Sequence, residues 1–65
     1  MKNNIKVLRV LRGITQQQLA DAIGVRRETL IRIEKGAQNF SFETAIKITE
    51  MLKCSLDDLI KEITI

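Results

Sequence analysis

The segment from Gln16 to Glu34 constrains the fold more than any other part of this 65-residue chain. The apolar residues that carry its pattern are Leu19, Ala20, Ile23, Val25, Leu30 and Ile33, with Gly24 after the first group. Leu19 and Ile23 recur at one helical turn, as do Leu30 and Ile33, so each pair marks the buried face of a short helix. Gly24 can supply the positive φ that a tight turn between two such helices demands. Ala20 is small where the helices must approach closely. Two short helices locked across a tight turn satisfy all these positions together. An ordinary helical hairpin is the alternative, and the charge distribution described below weighs against it.

Punctuation along the rest of the chain predicts five short helices in all. The first runs from about Asn4 to Arg12, with Ile5 and Leu8 on one face and Gly13 as its stop. Thr15 with Gln18 has capping-box spacing and opens the second, whose buried face is Leu19, Ala20 and Ile23. The third, about Arg27 to Lys35, buries Leu30 and Ile33 and ends at Gly36. Ser41 caps a fourth with the stripe Phe42, Ala45, Ile48, Thr49 and Leu52, and Phe40 stands where it can staple onto Ala45. Ser55, with Asp58 three residues on, opens a fifth carrying Leu56, Leu59 and Ile60. In the last residues Ile63 and Ile65 alternate with Glu62 and Thr64, which reads as a short C-terminal strand or a frayed end. The expected fold class is all-α, one five-helix domain over residues 1–65.

A chain of this size builds only a marginal core. Aromatics are 3% of its residues against 45% hydrophobic, so that core must be aliphatic. Small cores of this kind commonly rely on a staple or a partner subunit. A disulfide within the chain is excluded because Cys54 is the only cysteine, which fits a reducing compartment. With no histidine either, a protein-built metal site is not expected, and no cofactor motif is present. Lys6, Arg9 and Arg12 interrupt every early apolar run, which argues against a leader or membrane span and for a cytoplasmic protein. Catalysis lacks its usual groups: no cysteine–histidine pair, no phosphate-cradling glycine loop and no paired acids in a cleft. Asp57 and Asp58 fall where helix capping and the helix dipole favour acids. Cys54 reads as a core residue.

The formal net charge of +3 is modest, but its distribution is informative. Lys2, Lys6, Arg9, Arg12, Arg26, Arg27, Arg32 and Lys35 lie in the first 36 residues against Asp21, Glu28 and Glu34, while the remainder holds three lysines and five acids. The basic half contains the two-helix unit, so the spacing and the charge together give residues 16–35 the layout of a helix-turn-helix.

The stretches "LRVLRG" (Leu8–Gly13), "TQQQLA" (Thr15–Ala20), "IGV" (Ile23–Val25), "IEKG" (Ile33–Gly36) and "SLDDL" (Ser55–Leu59) resemble those of the XRE family. These are the Cro- and lambda-repressor-like helix-turn-helix regulators, and the resemblance runs from about Ile5 to Ile60. It implies a cytoplasmic transcription regulator, usually a homodimer on a palindromic site in double-stranded DNA. By the same resemblance the first turn of the third helix meets base edges in the major groove. Arg26, Arg27 and Glu28 fall there, with Arg32 one turn on. Arginine suits a bidentate contact to guanine, and Glu28 suits either a cytosine amino group or an ion pair with Arg32. Thr29 is read as a further contact or as mere surface. Phosphate contacts are expected from Thr15, Gln16 and Gln17 and, beyond the third helix, from Lys35, Gln38 and Asn39. Replacing Gln16 should then weaken every site alike. The resemblance also implies a salt bridge between Arg9 and Glu34 that sets the angle of the third helix.

Three departures stand out. Arg26 occupies a position where Ser or Thr would cap the third helix, a loss of about 1 kcal/mol. Phe40 stands where proline is common. Val7, Val10 and Leu11 replace polar residues and give the first helix a second apolar stripe. With Ile63 and Ile65, that stripe is a candidate dimer face or a site for another protein. The competing reading of the chain is therefore an antitoxin-like regulator that neutralises a protein partner and uses the same fold for autoregulation.

Overall fold

The computed structural model describes residues 2–60. Five helices follow one another: α1 (Ile5–Leu11), α2 (Gln16–Ile23), α3 (Arg27–Glu34), α4 (Phe42–Leu52) and α5 (Leu56–Ile60). Among the described residues there is no strand, so the fold is all-α. The strand read at the C-terminus, with Ile63 and Ile65, lies outside the described residues.

Local chemistry starts three of these helices. Thr15 is extended (φ −76°, ψ 160°) and its Oγ1 accepts from Gln18 N at 3.0 Å, while Gln18 Oε1 accepts from Thr15 N at 2.9 Å. The capping box thus satisfies two backbone donors reciprocally. Ser41 Oγ accepts from Thr44 N at 3.1 Å at the head of α4. Ser55 and Asp58 exchange the same pair of bonds at α5, at 3.1 and 3.2 Å. Gly24 ends α2 at φ +76°, and Val25 N donates to Ala20 O while Gly24 N donates to Asp21 O. That Schellman turn pays off two loose carbonyls and swings the chain directly into α3.

α4 is the central strut, packed on α2, α1 and α5, while α2 also carries α3. Ile5, Leu19, Ala20, Leu30, Ile48, Leu52 and Leu59 are fully buried, with Ile23, Ile33 and Ala45 nearly so. Each large aliphatic side chain sealed in this way contributes roughly 1.5–3 kcal/mol. Phe40 and Cys54 are half-buried against the same cluster. Burial, then the nearby Asp58 carboxylate, push the Cys54 thiol up, and Arg12 opposes them.

Two apolar expectations fail. Phe42 is 71% exposed. It has the right azimuth for the α4 stripe, but it is the first helical residue, and helical Cβ atoms lean toward the N-terminus. Its ring is therefore carried beyond the end of the core, where Phe40 packs instead. Ile60 is 49% exposed. It sits about 100° around α5 from Leu59, off the face that Leu59 buries.

Long-range polar contacts close the bundle. Arg12 Nε donates to Leu52 O at 2.9 Å and its Nη2 to Lys53 O at 3.1 Å, capping the carbonyl end of α4. Asn3 Nδ2 reaches Ile33 O at 2.8 Å at the end of α3. Asn4 donates through its backbone to Leu59 O and through Nδ2 to Asp58 O. The start of α1 is thereby tied to α5.

Candidate nucleic-acid interface

Arg26, Arg27, Glu28 and Arg32 are all exposed on α3, with Thr29 half-buried between them. Arg26 is the N-cap residue, extended at φ −74° and ψ 153°, and makes no side-chain capping bond. The first-turn amides of α3 are consequently left to solvent or to a ligand.

Behind this face lies a chain of side chains joining three helices. Arg9 Nε donates to Glu34 Oε2 at 2.7 Å, with the two side chains only 9% and 4% exposed. Arg9 Nη1 also donates to Ile14 O at 2.9 Å. The second Glu34 oxygen accepts from Gln16 Nε2 at 3.0 Å. Gln16 Oε1 in turn accepts from both Nε and Nη2 of Arg27, at 3.3 Å each. A carboxylate on one side and a guanidinium on the other permit a single orientation of the Gln16 amide. Arg27 is thus gripped along its Nε side, and the terminal edge of its guanidinium remains free. Two parallel N–H donors on that edge match guanine O6 and N7.

Arg9, Thr15, Gln16, Gln17 and Arg27 line one shallow depression of about 480 Å³ between the heads of α2 and α3. Gln17 is partly engaged, since its Nε2 donates to Asp21 Oδ1 at 2.9 Å. Beyond α3, Lys35 and Asn39 are exposed and Gln38 is half-buried.

The structure revises one sequence-based reading and adds contacts to two others. No Glu28–Arg32 ion pair forms among the described residues: Arg32 Nε donates to Gln38 Oε1 at 3.0 Å, with a longer contact from Nη2 to Thr29 Oγ1. Gln38 lies six residues past Arg32, and only the turn after α3 brings them together. Gln16, expected among the phosphate contacts, touches Arg27 directly. Of the eight basic residues in the first 36, Arg9 is sealed in the interior and Arg12 is spent on α4. Gln16 as a link between Arg27 and Glu34 left no signal in local spacing. Among the described residues no cluster of His, Cys, Asp and Glu is placed to hold a metal, and no helix is long and apolar enough to cross a membrane.

Two short helices across a glycine turn, with arginines at the exposed head of the second, define a helix-turn-helix DNA-binding fold. Known proteins agree. Residues 5–59 match the helix-turn-helix family. The chain is 41% identical over 59 residues to the uncharacterised HTH-type transcriptional regulator MJ0272 of Methanocaldococcus jannaschii, covering 91% of this chain and 89% of that protein. It is similar in fold to the biofilm master regulator SinR in complex with DNA, with a TM-score of 0.71 and 32% identity over 80% of this chain and 84% of that one. It is also 34% identical over 56 residues to the antitoxin HipB of Escherichia coli, covering 86% of this chain and 60% of HipB. The chain belongs to the XRE-type helix-turn-helix family, and it is a transcriptional regulator.

Proposed function

We propose that this regulator represses transcription by binding a palindromic operator as a homodimer, with α3 in the major groove. In this reading residues 1–65 act as one DNA-binding domain in the cytoplasm. The single observation that carries it is Arg27, anchored through Gln16 to the interior Glu34–Arg9 pair with its outer guanidinium edge open. An arginine fixed in advance loses less freedom on meeting a guanine than a mobile one. Arg27 and Arg32 are assigned to base edges, with Glu28 and Arg26 beside them and Thr29 at the margin. Thr15 and Gln17 at the head of α2, and Lys35 and Asn39 beyond α3, are assigned to phosphates, which position the domain without reading sequence, while Gln16 is assigned to holding Arg27. The exposed Val7, Val10 and Leu11 on α1 support self-association, because burying them would enlarge a small core.

A second reading has two observations in its favour. The likeness to the antitoxin HipB and the α1 stripe both suit a regulator that also neutralises a protein partner. Selection from random duplexes tests the first reading, and co-purification separates it from the second. A palindromic site with half-sites about 34 Å apart, bound with an affinity that falls steeply as salt rises, supports the repressor. A stoichiometric protein partner that co-purifies with the chain from its native cell supports the second reading instead, and failure to bind any duplex even at low salt overturns the repressor.

A further inference from the structure

We propose that Gln38 is a specificity-positioning residue: it holds Arg32 in register for a base and does not serve as a phosphate contact. The inference rests on the reading of α3 as the groove helix. It starts from the turn that ends α3. Gly36 takes φ +76°, Gly36 N donates to Ile33 O at 3.0 Å, and Ala37 N donates to Arg32 O at 3.0 Å. These paired bonds are a Schellman turn, and its outer bond lands on the backbone of Arg32 itself. The next residue, Gln38, is thereby returned alongside the Arg32 side chain. There its Oε1 accepts from Arg32 Nε at 3.0 Å, and Gln38 is half-buried. Arginine has only donors, so the amide oxygen must be the atom that faces it.

The contact has the same form as the one Gln16 makes to Arg27. In both, a glutamine oxygen accepts from Nε and so takes the side of the guanidinium, not its tip. Thr29 Oγ1 adds a second, longer restraint at 3.5 Å from Nη2. Two reading arginines on one helix are thus each buttressed by a glutamine from a different neighbouring segment, α2 for Arg27 and the α3–α4 loop for Arg32. A loop residue in this position changes which base is preferred without touching a base.

The test uses the whole chain and a base-by-base set of variants of its selected duplex. Arg32→Ala should flatten the preference at one base-pair position by about tenfold or more. Gln38→Ala should flatten the same position by a smaller factor and add nothing in the Arg32→Ala background, as expected for residues acting through one contact. Gln38→Glu should keep the preference at that position, since a carboxylate still accepts from Nε, while lowering affinity for all duplexes through repulsion of phosphate. A uniform loss with Gln38→Ala, additive with Arg32→Ala, makes Gln38 a phosphate contact and overturns the proposal. The Arg32 Nε–Hε resonance, followed by NMR in the free protein, reads the contact without DNA. It should be sharp and slow to exchange in the wild type and broaden in Gln38→Ala; no change overturns the proposal whatever the DNA assay gives. Absence of any base preference in the wild type instead overturns the assignment of α3 as reader, a distinct failure.

Discussion

Gln16 stands between an acceptor and a donor, and that position gives one surface side chain two consequences. Its bond to Glu34 adds to the interior pair with Arg9, and its bond to Arg27 sets the reader. Glu34→Ala would leave the Arg9 guanidinium enclosed without its carboxylate, a loss of about 3 kcal/mol. In so small a domain that should lower the urea midpoint sharply, whereas Gln16→Ala, which keeps the Arg9–Glu34 pair, should move it little. Gln16→Ala should instead loosen base preference at the position read by Arg27. Equal effects of the two changes on the midpoint would contradict this division. Arg9 and Glu34 were legible from resemblance to a family motif, but the link through Gln16 was not. It depends on how α2 sits on α3, which no spacing within either helix encodes.

The helices show the complementary case. Thr15–Gln18, Ser41–Thr44 and Ser55–Asp58 are local arrangements, so the helix starts they make were legible from the sequence. Arg12 was not, because its carbonyl partners lie forty residues away at the end of α4. Arg26 is the local rule broken in full view: its cap position carries no capping bond. Supplying one by Arg26→Ser should stabilise the domain by about 1 kcal/mol, which for a domain of this size raises Tm by roughly 4–8 °C. The same change should weaken operator binding, by removing a cation and by occupying an amide of the first turn. A rise in Tm with no loss of affinity would show that Arg26 has no part in the interface.

For the whole molecule, the apolar periodicity located the core but misjudged its edges. Phe42 has the helical phase for burial but opens α4 beyond the packed layer, and Ile60 lies about 100° around α5 from the buried Leu59. Val7, Val10 and Leu11 form the exposed apolar face of α1, at 50%, 61% and 74% exposure. If that face joins two copies, Leu11→Glu should convert a dimer to a monomer in sedimentation equilibrium and leave the helical circular dichroism unchanged. A wild type that sediments as a monomer at high concentration would contradict the homodimer. Charge acts at this scale too, since Arg26, Arg27, Arg32 and Lys35 are all exposed on or beside α3. The most direct test of α3 as the reading element is a comparison of wild type and Arg27→Ala across every single-base variant of the selected operator. The expected result is that Arg27→Ala erases the preference at one guanine in each half-site and leaves the others in place. An equal loss of affinity for every variant, with all preferences intact, would mean that Arg27 grips the backbone and that α3 is not read through it.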